Sequence, residues 1–423
     1  MAKTHTLEYA TAPASAPRGP LHIIFFIILL DVMGFGLIIP LLPFYAMKYQ
    51  ASAFEIGLLF SLYSACQFIA APVLGQISDR YGRRPVLVFS QLGSVAGYLL
   101  LGFATQHPWA NPRLGLWMVF LSRVIDGLSG GNISTAQAYI SDVTTPQTRA
   151  KGMGLLGAAF GVGFAAGPAL GGLLGHRYVA LPAYVAAALC VAAAVVTYRR
   201  LPESRRHIPA SAEAWLHPRS FLPVLRRPVL GQLMFMAFVS MLAFVMMEAV
   251  IALFLADRFG YGQRQVGGFF AYMGAIIIVV QGAFIGQLTR RLGDWPWATV
   301  GPALVAIGFA GYVLAGDAHS LTLLLVAAAF GAVGRSMQYP TVSALVSKFS
   351  DARDQGTTFG LYQGLGGLAR VLGPVMAGSL YDHWWKGGPF VVAAGLCAAC
   401  AVWTGLLRVR SGGQERAAFL TAS

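Results

Sequence analysis

Long apolar runs alternate with short polar segments along almost the whole chain. Each run holds about 20 residues, which is the length of a helix that crosses the hydrocarbon core of a bilayer. Twelve such runs can be drawn, at 23–45, 56–77, 85–104, 116–138, 152–174, 179–198, 229–254, 266–288, 298–315, 321–342, 358–380 and 390–407. The pattern predicts an all-α membrane protein with twelve transmembrane helices.

The longest connection lies between the sixth and seventh runs and divides the chain into two halves. Residues 199–227 carry seven arginines and four prolines, a composition typical of a linker. The predicted organisation is a disordered cytoplasmic tail (1–21), a six-helix bundle (22–198), a cytoplasmic linker (199–228), a second six-helix bundle (229–407) and a cytoplasmic tail (408–423).

Composition and charge agree with a membrane protein. The chain is 57% hydrophobic and 11% charged, whereas soluble domains are about 25% charged. With the N-terminus in the cytoplasm, the cytoplasmic segments hold 21 Lys and Arg residues and the opposite segments hold 6. This asymmetry follows the positive-inside rule. It explains the net charge of +14 without a nucleic-acid partner and predicts that both termini are cytoplasmic.

Two sequence echoes predict that the halves arose by duplication. GQISDRYGRRP (75–85) returns as GQLTRRLGDWP (286–296) at an offset of 211, and GPALGG (167–172) returns as GPVMAG (373–378) at an offset of 206. We therefore expect two pseudo-symmetric six-helix bundles. Parallel repeats of this kind are typical of alternating-access transporters, which bind substrate between the halves near the middle of the membrane.

The first hairpin, at 75–85, carries charges that a simple turn does not need. Asp79 can accept hydrogen bonds from Arg83 and face a helix N-terminus, and Asp142 is a second carboxylate within reach. One interpretation is a cytoplasmic gate locked by ion pairs, and the other is plain positive-inside topology. The gating candidates are Gly75, Asp79, Arg80, Gly82, Arg83, Arg84 and Asp142.

Small residues and proline mark the fifth span and its echo in the eleventh. Small residues allow close helix packing, and proline allows a helix to bend. Either ordinary tight packing or a helix that slides against the other half would use them. The residues are Gly163, Gly167, Pro168, Gly171, Gly172, Gly373 and Pro374.

Charged residues inside spans are functional candidates because burying a charge in the membrane is costly. Asp31 and Glu248 lie deep in the first and seventh spans, at equivalent positions of the two halves. They are candidates for proton coupling, the alternative being permanent hydrogen bonding to neighbouring helices. Arg123 and Asp126 are three residues apart on one helix face and can either pair or assist the proton site.

Polar residues in other spans are candidates for the lining of a substrate cavity. Arg335 and Arg370 have no carboxylate in their own spans, so they either meet Glu248 or Asp31 across a cavity or line a path for an anion. The full set of cavity candidates is Gln67, Gln137, Gln281, Arg335, Gln338, Tyr339, Gln363 and Arg370.

These motifs resemble those of the major facilitator superfamily. The 75–84 segment is similar to its loop signature, 163–172 to the fifth-helix signature of its drug:proton antiporter branch, and 29–43 to the first helix of tetracycline efflux proteins. The resemblance implies the major facilitator fold, a gating hairpin and a role for Arg123 in tuning the proton site. The chain departs from tetracycline efflux proteins at Gly97, where they carry an Asp, and it lacks their Asp in the ninth span.

We therefore expect a proton-coupled exporter of a lipophilic or amphiphilic drug-like molecule, with tetracycline-type compounds among the candidates. The alternatives are a proton symporter that imports a polar or anionic metabolite and a non-transporting membrane scaffold or receptor. The motifs GxxxxGK[ST] and HExxH are absent from the sequence, so we expect no ATP-driven step, no enzyme activity, no metal and no cofactor. The expected partners are a small molecule, protons and the lipid bilayer, for a monomer in a bacterial inner membrane.

Overall fold

A computed structural model of the chain describes residues 19–204, 218–351 and 355–422, and most of these residues are helical. The helices are α1 (Gly19–Ile38, continued by a 3-10 turn at Ile39–Leu41 and a short helix at Leu42–Met47), α2 (Ala53–Tyr81), α3 (Arg83–Gln106), α4 (Pro112–Leu128 and Asn132–Val143), α5 (Pro146–Arg177), α6 (Leu181–Arg200), a linker helix (Pro218–Leu225), α7 (Pro228–Phe259), α8 (Gln263–Val279, a π-helical turn at Val280–Phe284, and Ile285–Leu292), α9 (Asp294–Ala318), α10 (Leu321–Lys348), α11 (Gln355–His383) and α12 (Gly388–Ala422).

The predicted fold class is confirmed. In the described part of the chain, ten helices are long and apolar enough to cross a membrane. The other two are α4, which is broken between Leu128 and Asn132, and the glycine-rich α11. Most of the predicted N-terminal tail (1–18) and the middle of the predicted linker (205–217) lie outside the described residues. The last helix continues to Ala422, through the predicted C-terminal tail.

Local sequence signals explain where several helices begin and end. Ser52 and Glu55 form a capping box at the start of α2, in which each side chain accepts the backbone N–H of the other residue. Proline opens α4, α5 and α7, where its missing N–H costs no helical hydrogen bond. α7 ends at Phe259 and is followed by Gly260, whose φ of +66° lies in the left-handed region that glycine adopts readily.

The helix packing repeats from one half to the other. α1 packs against α5 and α6, and α7 packs in the same way against α11 and α12. α3 packs against α4 and α6, as α9 does against α10 and α12. The main contacts between the halves are α2 with α11 and α5 with α8. These pairs form two pseudo-symmetric six-helix bundles.

Among the described residues, the closest contacts between the halves lie on one side of the molecule. We call this the far side, where α2 begins and α11 ends, and the opposite side the linker side, where α6 ends and α7 begins. On the far side, a Cβ added to Gly57 would lie 2.2 Å from the carbonyl oxygen of Pro374. Towards the linker side, a Cβ added to Gly157, Gly161 or Gly364 would meet no atom within 4 Å. The cleft between the halves therefore opens to the linker side.

Candidate functional site

The motif glycines of α5 face two different helices. Gly163, Gly167 and Gly171 pack against α1 of their own half, where an added Cβ would lie 2.4–2.8 Å from the nearest atom of α1. Gly172 contacts α8 of the other half, and a Cβ added there would lie 2.7 Å from the carbonyl oxygen of Gln263. α5 is therefore held by backbone contact on both sides, which is consistent with either interpretation of its glycines.

The matching glycines of α11 repeat this arrangement. A Cβ added to Gly373 would lie 2.4 Å from Val245 of α7, the counterpart of α1 in the second half. Pro374 presents its carbonyl group to Gly57 of α2, across the boundary between the halves. Each half therefore contributes one small-residue helix to the far-side contact.

The buried residue Arg83 is the centre of an ionic cluster at the linker side. Its guanidinium group bonds to Asp79 at 2.6 Å, to Asp142 at 3.1 Å and to the hydroxyl group of Ser78 at 2.6 Å. The hairpin between α2 and α3 is thereby tied to the end of α4. All of these residues belong to the first half, so these contacts stiffen one bundle.

Sequence reasoning did not single out Glu203, a further member of this cluster. Its carboxylate accepts the backbone N–H groups of Arg83 at 2.8 Å and Arg84 at 3.0 Å, at the start of α3. A negative charge is stabilised there by the helix dipole. Gly82 has a φ of +106°, and an added Cβ would lie 2.6 Å from Glu203. The sequence suggested that Asp79 faces a helix N-terminus at this hairpin. The structure shows that Glu203 caps the N-terminus of α3 there.

The outer arginines of the hairpin contact aromatic rings. The guanidinium carbon of Arg80 lies 5.5 Å from the centroid of Tyr81, and that of Arg84 lies 5.2 Å from the centroid of Tyr198. Arg84 also donates to the carbonyl oxygen of Tyr198 at the end of α6. Arg84 therefore helps to anchor α3 to α6. A Cβ added to Gly75, the first residue of the hairpin segment, would meet no atom within 4 Å.

The second hairpin carries the same kind of ion pair with the charges exchanged. Asp294 at the start of α9 bonds to Lys348 at the end of α10 at 2.7 Å. Its counterpart in the first half joins Arg83 at the start of α3 to Asp142 at the end of α4. The two pairs occupy equivalent places in the bundles. Lys348 corresponds to Asp142, and their side chains are 63% and 28% exposed.

Asp31 lies near the middle of α1 with an incomplete set of hydrogen bonds. One carboxylate oxygen accepts a long hydrogen bond of 3.5 Å from Gln91 of α3, and the other is buried without a partner in the described part of the chain. Gln91 is held in turn by the hydroxyl group of Thr197 at 3.0 Å. A buried oxygen without a donor is satisfied when the carboxyl group itself gains a proton or a ligand approaches.

Arg123 and Asp126 form an ion pair of 3.2 Å inside the first bundle, and both are at most 3% exposed. Arg123 also lies over the ring of Tyr98, 5.5 Å from its centroid, and one of its terminal nitrogens has no partner among the described residues. An added Cβ at Gly97 would lie 2.9 Å from the Cβ of Asp126. A carboxylate therefore has no room at position 97, because α4 occupies that space.

Glu248 lies in α7 as the second-half counterpart of Asp31. It is half-buried and forms no hydrogen bond or ion pair of contact length within the described residues. Its ionic neighbours at longer range are Arg335 of α10 and Arg370 of α11. Both arginines are half-buried. The structure therefore brings the charged cavity candidates of the second half near one carboxylate.

The other cavity candidates have different surroundings. Gln67 bonds to the carbonyl oxygen of Gly130 at the break in α4, and Gln137 is half-buried. Gln281, in the π-helical turn of α8, and Gln363 are exposed. Gln338 lies inside the second bundle, where it is 3% exposed and donates to the hydroxyl group of Ser240 at 2.5 Å. α10 turns Gln338 into the bundle and leaves its neighbour Tyr339 45% exposed.

A carboxylate that sequence reasoning missed joins the two halves on the far side. Asp382 at the end of α11 accepts the backbone N–H groups of Ala53 at 3.1 Å and Phe54 at 2.7 Å, at the start of α2. We call this contact the Asp382 cap. It is reinforced by Gly378, where an added Cβ would lie 2.3 Å from the carbonyl oxygen of Ala53. Only the folded structure brings these residues, 329 positions apart, into contact.

Comparison with known proteins identifies relatives over most of the chain. The family model described as Major Facilitator Superfamily matches residues 24–323 and 303–421. The tetracycline resistance protein of class C from Escherichia coli is 30% identical over 379 residues, which are 88% of this chain and 92% of that protein. The class D protein from Salmonella ordonez is 32% identical over 381 residues, 86% and 90% of the two chains. The crystal structure of the human organic anion transporter MFSD10 (TETRAN) aligns with a TM-score of 0.68 and 25% identity, covering 92% of this chain and 99% of that one.

Proposed function

Because the chain belongs to the major facilitator superfamily, and is therefore a multi-pass membrane transporter of small molecules rather than an enzyme, we propose that it exports amphiphilic compounds in exchange for protons. The observation that carries the proposal is the incompletely bonded carboxyl group in each half, Asp31 in α1 and Glu248 in α7. A carboxyl group at such a depth can gain or lose a proton when its surroundings change between apolar and aqueous.

The state in which the cleft is open to the linker side is the one that loads substrate. We place the linker side in the cytoplasm, because the segments on that side carry most of the Lys and Arg residues. Substrate enters from the cytoplasm or the inner leaflet and takes the place of protons on Asp31 or Glu248. The far-side contacts, including the Asp382 cap, then separate while the hairpin at 75–85 closes the linker side. Protons from outside then bind the carboxyl groups, and the empty protein returns to the state that is open to the cytoplasm.

The substrate class is that of hydrophobic or amphiphilic drugs. Relatives named as tetracycline resistance proteins, at about 30% identity over most of the chain, support this class. Aromatic rings near Asp31 also support it: Phe35 lies 5.4 Å from Tyr63 and 6.1 Å from Phe164, measured between ring centroids. Such rings provide apolar contact area for a fused-ring compound.

Inside-out membrane vesicles provide the direct test. An imposed pH gradient, acid inside, is followed with a fluorescent base while tetracycline and a panel of amphiphilic compounds are added. We expect at least one compound to collapse the gradient, and Asp31→Asn together with Glu248→Gln to abolish this response. The matched control is Asp317→Asn. Asp317 lies at the far-side end of α9, and its carboxylate pairs with Arg258 at 3.7 Å. A response that persists in the double variant, or that no compound produces, would contradict the proposal.

A second candidate function is proton-coupled uptake of an organic anion. It is favoured by the two arginines near Glu248 and by the relative described as an organic anion transporter. Uptake from outside the cell would be measured in right-side-out vesicles, as a proton influx that accompanies the anion. The direction of the proton flux relative to the substrate therefore separates the two functions.

A further inference from the structure

The two halves contribute opposite excess charge to the interior of the protein. Among the described residues inside the spans, the first half holds Asp31, Asp126 and Arg123, and the second half holds Glu248, Arg335 and Arg370. With every group ionised, the first half carries one excess negative charge and the second half one excess positive charge. An unbalanced guanidinium group in a low-dielectric region is costly unless an anion joins it.

Arg335 is held in place by contacts that leave most of its donors unused. Its guanidinium carbon lies 4.3 Å from the ring centroid of Phe244 and 5.3 Å from that of Tyr339. Its hydrogen bond within the described part of the protein is to the sulfur of Met241, at 3.2 Å, and a thioether is a weak acceptor. A guanidinium group has five N–H donors. The side chain is therefore oriented by the two rings while its hydrogen-bonding capacity remains available.

Arg370 has no hydrogen bond or ion pair of contact length with the residues that the structure describes. Approach to it is open along α11, since a Cβ added to Gly366 would have no atom closer than Arg370 Nη1 at 4.0 Å. Both arginines interact electrostatically with Glu248 and with Tyr339. These shared neighbours are consistent with two guanidinium groups around one part of the cleft.

We propose that Arg335 and Arg370 form an anion-binding subsite that receives the carboxylate or sulfonate group of an aromatic amphiphile. A guanidinium group binds such oxyanions through paired, charge-assisted hydrogen bonds. The exposed ring of Tyr339 and the ring of Phe244 provide apolar surface for the rest of the molecule. This inference rests on the proposed transport function for its biological meaning, but the subsite itself is a binding property that can be measured without transport.

The test uses purified protein in lipid nanodiscs and two fluorescent probes, dansylglycine and its methyl ester. They share the same aromatic system and differ in the carboxylate. We expect Arg335→Gln and Arg370→Gln each to weaken the binding of dansylglycine at least tenfold and to change the binding of the ester less than twofold. Arg335→Lys should retain part of the affinity, because it keeps the charge but loses the planar pair of donors.

Arg113→Gln is the matched control, because Arg113 is a 60% exposed arginine of the far side that pairs with Glu55. It should bind both probes as the unchanged protein does. Gel filtration and thermal melting identify any variant that misfolds, and two separate arginines keep the test valid if one variant is lost. Equal weakening of acid and ester, or unchanged binding of the acid in both arginine variants, would overturn the subsite.

The outcomes also separate this inference from the proposed function. Arginine-dependent binding of dansylglycine without any proton exchange in vesicles would support the subsite and contradict the exporter. Drug-driven proton exchange together with arginine-independent binding of dansylglycine would support the exporter and contradict the subsite.

Discussion

Replacing Asp382 with Asn should shift the protein towards states that are open on the far side. In the observed state, the Asp382 carboxylate accepts the backbone N–H groups of Ala53 and Phe54 across the boundary between the halves. Hydrogen bonds to a charged acceptor contribute about 1.5–3 kcal/mol each. Asp382 is exposed, so solvent screening reduces the expected total to about 1–2 kcal/mol. That free energy corresponds to an about five- to thirtyfold change in the ratio of the two states.

Distances between spin labels measure this ratio directly. Ala110 and Ala318 are exposed on the far side, one in each half, and can carry labels as cysteines after the four native cysteines have been replaced by alanine. Pulsed electron resonance on Asp382→Asn should show a larger long-distance population than the unchanged protein. The control is Asp317→Asn, which removes a far-side carboxylate whose partner, Arg258, lies in the same half. Identical distance distributions in the two variants would refute the reasoning.

Three further predictions follow from other contacts. Gly378→Val should abolish transport while membrane expression persists, because the added side chain collides with Ala53. The control in the same vesicle pH-gradient assay is Gly395→Val, since an added Cβ at Gly395 meets no atom within 4 Å. Asp142→Asn should reduce transport severalfold, because it removes one of the carboxylates that bind the buried Arg83. Lys348→Gln, at the equivalent exposed position of the second half, should lower the stability of the protein by less than about 1 kcal/mol and leave transport nearly unchanged. Glu248→Gln should strengthen the binding of dansylglycine severalfold, because it removes a negative charge that competes for Arg335 and Arg370, and weaker binding would contradict that competition.

Much of the first hairpin was predictable because its residues are close in sequence or belong to a recognisable motif. Asp79 and Arg83 are one helical turn apart, and their ion pair follows from that spacing. Glu203 was missed because it lies 120 positions from Arg83 in a linker dominated by arginines. The signal available in the sequence was that Glu203 is one of two acidic residues in that linker.

The cavity was less predictable, because the direction in which a polar residue faces depends on how its helix is rotated. Gln338 and Tyr339 are adjacent in sequence, yet α10 buries the first against Ser240 and exposes the second. For Arg335 and Arg370, the sequence left open either pairing across the cavity or recognition of an anion. The tertiary structure added the aromatic rings around Arg335 and the open approach to Arg370.

The sequence by itself determined the membrane-spanning helices, the division into two halves and the charged hairpins. These features depend on the transfer free energies of successive side chains and on local turn geometry, both of which are properties of short segments. Only the tertiary structure decided which side of the cleft is closed, that Asp382 joins the halves and that Arg335 and Arg370 are the charged neighbours of Glu248. Those contacts depend on the relative positions of helices hundreds of residues apart, and close backbone packing sets these positions.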